Sequence, residues 1–382
     1  MGEFSFSVPQ QIMVGRGMIK KLPECAHSLG CHKAYIISGR VLEGMGVVRS
    51  CQDLLAEAGI PSAAFAETEG NPSVETVERA AAGFLESGAD TLIALGGGSP
   101  MDVAKAVGIV ARYGGSIVDY EGADRVPGDI VPLIAIPTTA GTGSEVTAFS
   151  VITDHSRNYK LTVFSYKLLP ACAILDPELL TTAPASVAAA CGIDAFIHAE
   201  EAYVSKAASP FTEAMSEKAM ELIGANIRQY VADRTDLAAA EGMLVGSLFA
   251  GIAFSWARLG NVHAMSHPVS AYYNVAHGVA NGILLPTIVA YNAPAAKVKY
   301  GKIYHYITGT TVAEADFRPE MLADAIRELN AGIGLPASLR EVGVTEARLE
   351  AMTDDAMKSG NIAVNPRKTD REDVLRLYRM AL

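Results

Sequence analysis

The sequence predicts a two-domain chain: an α/β domain with a mostly parallel sheet over residues 1–182, followed by an all-helical domain over 183–382. Three observations predict it. Short β-branched runs alternate with helical patterns through the first half, as a parallel sheet with helices on both faces requires. Strand signals then nearly vanish, and long stretches rich in Ala, Leu, Met and Glu carry helical periodicity. Between the halves, Asp176-Pro177 and Ala183-Pro184 punctuate the chain. Length agrees, because 382 residues exceed one ordinary core.

In order along the chain, Ala34–Ser38 (AYIIS) reads as a strand and Val47–Ala58 as a helix. Thr91–Leu95 (TLIAL) is a strand that feeds a helix from Pro100 to about Ala111. Leu133–Ile136 and Ala173–Leu175 are further strands. Val187–Ser205, Pro210–Tyr230 and Asp236–Ala257 are long helices of the second half. No repeat and no low-complexity linker separates the halves. They are expected to pack closely, with a cleft as the default ligand site.

Composition removes several function classes. Half of the residues are hydrophobic and 19% are charged, which suits a folded chain with a large core. The net charge is −11 and no Lys/Arg-rich run occurs, so nucleic acid and anionic membrane are not expected partners. No uninterrupted apolar stretch reaches the roughly 18 residues of a membrane span. The start, MGEFSFSVPQQIMVG, lacks a basic segment before an apolar core and does not read as a signal peptide. The five cysteines match no metal or CxxC spacing and read as reduced, mostly buried thiols. A soluble, cytoplasmic chain is the expectation.

Two polar turns follow predicted strands. After Leu95 comes Gly96-Gly97-Gly98-Ser99-Pro100-Met101-Asp102. Ser99 suits an N-cap, Pro100 the first helical position and Asp102 the third. Glycines let backbone N–H groups approach a ligand, and the helix start is partly positive, so the turn suits a pyrophosphate. It is not GxGxxG, since Met101 fills the third glycine's place, and any strand-to-helix turn favours glycine. The second turn, Pro137-Thr138-Thr139-Ala140-Gly141-Thr142-Gly143-Ser144-Glu145, places four hydroxyls after a buried strand, where α/β sheets bind ligands.

The helical half carries metal chemistry. Asp194 and His198 stand at i and i+4 and share a helix face. His263 and His267 repeat that spacing, and His277 follows ten residues later. One continuous helix would hold His263 and His277 about 21 Å apart. Pro268 disfavours that helix and lets the chain turn back. Asp194–His198 alone reads more readily as a hydrogen-bonded core pair; the whole constellation does not. One carboxylate and three imidazoles suit Fe²⁺, with Zn²⁺ also possible, rather than a Cys-type structural zinc.

Taken together these motifs resemble the iron-containing (group III) alcohol dehydrogenase family over nearly the whole chain, including its lactaldehyde reductases and 1,3-propanediol dehydrogenases. The carriers are the two turns, extended to Val146-Thr147, then Gly192-Ile193-Asp194-Ala195-Phe196-Ile197-His198-Ala199. The most specific is Gly260-Asn261-Val262-His263-Ala264-Met265-Ser266-His267-Pro268, continuing to His277-Gly278-Val279-Ala280-Asn281. The resemblance implies a nucleotide-binding domain and a helical metal domain of the dehydroquinate synthase-like kind. It implies Asp194, His198, His263 and His277 as metal ligands. Gly97, Gly98 and Ser99 would meet the pyrophosphate of NAD(P). Thr138, Thr139 and Lys160 would lie along the nicotinamide side with Thr147 in the same motif, and Asn71 near the adenine half. It also implies a homodimer or larger homo-oligomer acting on a small alcohol or aldehyde. His267 is the candidate proton relay to solvent. Glycerol-dehydrogenase-like or dehydroquinate-synthase-like enzymes are the alternative; they use an Asp and two histidines, and His198 argues against them.

Two departures stand out. Members that use NAD carry an Asp where Gly39 stands, and here Arg40 follows, an arrangement that accommodates a 2′-phosphate. Arg258 occupies a position that similar enzymes fill with a small residue. Phe254 and Arg258 are expected to share a helix face toward the substrate, with Phe149 also lining it, and an arginine there suits an anionic aldehyde. A salt bridge is the plainer role for Arg258.

Overall fold

The computed structural model describes Phe6, Val8 and residues 11–157 and 159–382. Much of the N-terminal stretch read above for a leader lies outside them. The chain divides into two compact units. One comprises the described part of Ser7–Thr139 together with Ser144–Thr182; the other comprises Phe6, Ala140–Gly143 and Ala183–Leu382.

The first unit is built on six parallel strands: β1 (Gln11–Val14), β2 (Ala34–Ile37), β3 (Ser62–Phe65), β4 (Thr91–Gly96), β6 (Leu133–Pro137) and β9 (Cys172–Leu175). Their order is β1-β9-β6-β4-β2-β3. A second sheet joins β5 (Gly122–Ala123) to the antiparallel pair β7 (Phe149–Asp154) and β8 (Tyr159–Phe164). Helices α1 (Leu22–Ser28), α2 (Arg40–Gly44), α3 (Val47–Glu57), α4 (Val74–Ser87) and α5 (Gly98–Tyr113) accompany these strands. Alternation sorts the large sheet into two cores. Ile36, Ile93, Leu95 and Ile136 pack with Val48 and Leu55 on one face; Ile37, Leu92, Ala94 and Ala135 pack with Val77 and Val107 on the other.

Strand order sets the ligand end. β2 connects outward to β3, whereas the neighbouring β4 connects the opposite way to β6. Such a switch opens a crevice beyond the strand C-termini. The segments that leave β2 and β4 there are Ser38-Gly39-Arg40 and Gly97-Gly98-Ser99.

The sequence reading missed β1, β3, α4 and the β7–β8 pair. β1 and β3 are sheet edges of four residues, too short to show periodicity. Among the cysteines, Cys25 and Cys172 bring their sulfurs together, while Cys31 and Cys51 are buried thiols.

The second unit begins with α6 (Ala185–Val204), α7 (Pro210–Ala232) and α8 (Leu237–Ala257), which pack on one another. α9 (Asn261–Tyr273) and α10 (His277–Asn292) follow, then α11 (Lys297–Thr308), α12 (Pro319–Gly332), α13 (Leu349–Ala356), α14 (Asn361–Val364) and α15 (Arg371–Ala381). By length and composition α8 could cross a membrane, but 67% of its most apolar window is buried in this unit.

The turn between α9 and α10 differs from expectation. α9 runs through Pro268 and ends at Asn274, whose φ of 53° is left-handed. Asparagine tolerates that conformation better than most residues and stops the helix there. Pro268 costs one backbone hydrogen bond without breaking the helix.

Candidate metal centre and nucleotide site

The metal-ligand candidates sit on three helices of the second unit: Asp194 and His198 on α6, His263 on α9 and His277 at the first position of α10. Gly278 makes the last placement possible. A Cβ there would meet the Ala190 carbonyl of α6 at 2.0 Å, so only glycine lets α10 start this close to the Asp194 helix.

One carboxylate oxygen is the focus. Asp194 Oδ1 lies 3.4 Å from His263 Nε2, 3.8 Å from His198 Nε2 and 3.8 Å from His277 Nε2. Ligand atoms about 2.0–2.2 Å from a tetrahedral ion stand roughly 3.3–3.6 Å apart; the His263 separation falls in that range, and those of His198 and His277 lie about 0.2 Å beyond it. Ligand atoms of Asp194, His263 and His277 all lie within 4.8 Å of one another; His198 reaches the shared oxygen but falls outside that tighter set.

The far side of each ring settles its tautomer. His263 Nδ1 donates to Glu201 Oε2 at 2.7 Å, and His198 Nδ1 donates to the Gly141 carbonyl at 3.3 Å. Both partners only accept, so Nδ1 carries a proton in each ring; the neutral His198 then presents its Nε2 lone pair toward Asp194, and His263 would do so once a cation displaced the proton on its Nε2. Phe254 stacks on His198 at 4.4 Å and holds its plane. Asn281 Nδ2 donates to Asp194 Oδ1 at 2.6 Å and lies within 3.2 Å of the Nε2 atoms of His263 and His277.

Electrostatics favour a cation. Burial works against charge on Asp194, but the three imidazoles outweigh it and hold the carboxyl well below its usual range. Burial pushes His198 down to about 4, leaving it neutral. Burial also opposes charge on His263, yet Asp194 and Glu201 lift it to about 9. A buried pocket that retains a proton between two carboxylates is one a divalent cation suits.

Glu201 was not foreseen, although Asp194, His198 and Glu201 stand at i, i+4 and i+7 on one helix. Besides His263 it accepts the Val262 N–H at 2.6 Å. Glu201→Gln keeps the shape but lets the amide present N–H to Nδ1. The expected result is a 10–100-fold weaker metal affinity, the usual scale for such supporting carboxylates, read by chelator competition. An unchanged affinity would count against the role.

His267 is half-buried beside His277, with ring centroids 5.2 Å apart. Arg258 does not extend the α8 face as expected. The helix ends at Ala257, and Arg258 is its exposed C-cap, with φ 60° and ψ −171°.

In the α/β unit, α5 starts at Gly98, two residues earlier than read, with Gly97 as its N-cap. No side chain caps it, so Ser99 does not serve as the N-cap. Instead Asp102 accepts from the Ser144 hydroxyl at 3.1 Å. The tight exit depends on Gly96: its φ is 148°, and a Cβ would strike the Pro100 ring at 2.7 Å. The uncapped first-turn N–H groups are an anion-binding arrangement.

Thr138 follows β6, tied to the Gly96 carbonyl by its N–H at 3.0 Å. Thr139 Oγ1 lies 3.0 Å from where a Gly97 Cβ would stand. Lys160 Nζ donates to Asn71 Oδ1 at 2.7 Å, joining two residues 89 apart in sequence, and burial lowers its pKa to about 8. Asn71 adopts a left-handed φ of 57°. Gly39 packs against the Thr68 carbonyl, 3.1 Å from its Cβ position. Phe149 packs against Phe164 as a tilted pair, with ring centroids 4.8 Å apart.

Lys105 was missed altogether. Its fully buried ammonium meets the carbonyls of Ser144, Thr147 and Phe149 at 2.7, 2.9 and 2.9 Å, and the Ser144 and Thr147 hydroxyls at 2.9 and 3.2 Å. The Thr147 hydroxyl is thus held by the protein itself.

Comparison with known proteins follows the same division. Residues 9–177 match the family model described as iron-containing alcohol dehydrogenase, and residues 188–382 match the model of that family's C-terminal region. The chain is 37% identical to a lactaldehyde reductase of Escherichia coli strain K12, over 96% of both proteins. It is 35% identical to an NAD-dependent methanol dehydrogenase of Bacillus methanolicus, over 99% of this chain and 100% of the relative. A crystal structure of a 1,3-propanediol oxidoreductase superposes with a TM-score of 0.96 at 38% identity, covering 100% of both chains.

Proposed function

The chain belongs to the iron-containing alcohol dehydrogenase family, and from that premise we propose that Asp194, His198, His263 and His277 hold its catalytic iron, with zinc as the other candidate ion. The chain is an oxidoreductase of CH–OH groups that works with a nicotinamide cofactor. One observation carries the ligand assignment: three imidazole nitrogens converge within 3.8 Å of a single buried carboxylate oxygen. His198 also speaks against the rival centre of one Asp and two histidines.

The proposal assigns residues 1–182 to the dinucleotide and 183–382 to the metal and catalysis. Gly97, Gly98 and Ser99 offer uncapped N–H groups to the pyrophosphate. Thr138, Thr139 and Thr147 attend the nicotinamide half and Gly39 the adenosine half, while Lys160 and Asn71, bonded to each other at 2.7 Å, attend the cofactor as a pair. Bound at its site, the metal would supply Lewis acidity at the oxygen of a small primary alcohol, diol or aldehyde. Phe254 and Glu201 orient the His198 and His263 rings. His267, beside His277 and half-buried, passes the hydroxyl proton toward solvent. Phe149, Phe254 and Arg258 are the proposed substrate-facing side chains. A cytoplasmic homodimer or larger homo-oligomer completes the proposal; the buried thiols of Cys31 and Cys51 suit a reducing compartment.

The test is oxidation of NADPH and NADH with short aldehydes after chelation, with and without added Fe²⁺. Metal-restored turnover is expected; none with either cofactor would overturn the reading. The same assay decides the cofactor. Gly39 presents no carboxylate, and Arg40 is exposed, with Glu67 at 4.0 Å as its ion-pair partner among the described residues. NADPH is expected to serve at least as well as NADH. Arg40→Ala should lower kcat/KM for NADPH about tenfold and spare NADH, the scale of one charge-assisted contact. A hundredfold NADH preference in the unaltered enzyme would sink the cofactor assignment.

A further inference from the structure

Resting on the reading that this site reduces aldehydes, we propose that Arg258 makes it select short aldehydes that carry an oxyanion, a carboxylate or phosphate, at the end remote from the carbonyl. The backbone argument comes first. With φ 60° and ψ −171°, Arg258 occupies a region that is essentially glycine's alone. Asn71, Asp124 and Asn274 also have positive φ, but Asn and Asp tolerate that region through their short polar side chains. Arginine has no such excuse.

The fold gains nothing visible from the strain. The guanidinium is exposed, and among the described residues it makes no ion pair or hydrogen bond. Its Nη1 lies 3.6 Å from the position of a Gly360 Cβ, beside a residue with no side chain to engage it. The plainer salt-bridge role therefore has no partner. Strain kept without structural return marks functional positions.

The location gives the function. The Arg258 N–H bonds the Phe254 carbonyl at 2.8 Å, and the Phe254 ring stacks on the metal-ligand candidate His198. Two residues beyond Arg258, a Cβ on Gly260 would stand 2.9 Å from Glu201 Oε1, the carboxylate group that holds His263. Arg258 is thus fixed from both sides to the residues that orient the ligand rings, while its charge faces solvent. A planar guanidinium so placed binds a carboxylate or phosphate through paired hydrogen bonds.

The experiment uses the iron-loaded enzyme with its preferred cofactor and two matched pairs: succinate semialdehyde against butanal, and glyceraldehyde 3-phosphate against glyceraldehyde. In at least one pair kcat/KM should favour the anion, and Arg258→Gly should lower that anion-to-neutral ratio about tenfold or more, the loss of one charge-assisted bond. Arg258→Lys should keep part of the preference. The glycine variant should also melt higher, because it relieves the backbone. A ratio unchanged within about twofold in Arg258→Gly, or neutral substrates favoured in both pairs, overturns the proposal while leaving the aldehyde reductase reading intact. No consumption of any of the four overturns that reading itself.

Discussion

Asp194→Ala is expected to abolish metal retention and to lower kcat at least about a thousandfold, the scale of a lost Lewis acid. The reason lies in charge. Three of the four proposed ligands are imidazoles, and only Asp194 brings a negative charge into direct reach of the ion. Its oxygen is also the point toward which every imidazole Nε2 is aimed. Removing it leaves a dication among neutral nitrogens in a buried pocket, where desolvation is least compensated. Asn281 Nδ2 loses the acceptor it meets at 2.6 Å. Metal content should fall from about one per chain to under roughly a tenth by atomic absorption, as expected when a charged ligand is lost. Asp194→Asn keeps the volume and separates charge from packing: it should lose metal nearly as fully while unfolding at close to the parental temperature. Full metal occupancy in both variants would refute the assignment of Asp194.

How much of this was legible in sequence depends on the range of the interactions. The i, i+4 spacing of Asp194 and His198 is set by helix geometry alone, and the glycines after β4 announce a tight turn. The convergence of His263 and His277 was anticipated, but through the wrong residue. A proline inside a helix predicts a break, yet α9 tolerates Pro268, and the left-handed Asn274 turns the chain. Ser99 has the side chain of a cap, but the glycine exit starts α5 before it. Both errors came from reading local propensity where a tight turn or tertiary packing decided the outcome. The His198–Gly141 contact spans 57 residues, and no periodicity encodes it. Arg258 was placed on a helix face because the apolar pattern of α8 runs to it; only the backbone shows that the helix has already ended.

Lys105 was the least legible residue of all, and its loss should be the most damaging to stability. In sequence it stands at i+3 from Asp102 on a helix, where lysine normally faces water. In the structure it has no exposed surface, and its ammonium binds three carbonyls and two hydroxyls from residues 144–149. Burial pulls it down to about 8, while Asp102 and Glu145 act to keep it charged. The same burial raises Asp102 to about 6 and Glu145 to about 7, against the pull of Lys105. Lys105→Met preserves the length of the stem and removes every one of these bonds. The carbonyls of Ser144, Thr147 and Phe149 lose their ammonium donor, and two buried carboxyl groups lose their counter-charge. Breaking a buried ionic cluster from one side costs about 3–5 kcal/mol. For a unit of this size that lowers the unfolding temperature by about 10 °C, measurable by calorimetry. A shift under about 2 °C would show that the cluster is paid back by repacking. Because Lys105 ties the segment from Ser144 to Phe149 onto α5, the helix whose N-terminus is proposed to bind the pyrophosphate, its loss should also raise the cofactor KM below the new melting point. Lys105→Arg tests the geometry separately: it restores the charge but not the compact ammonium, so it should recover less than half of the lost stability, since a planar fork cannot converge on five oxygens arranged around one point.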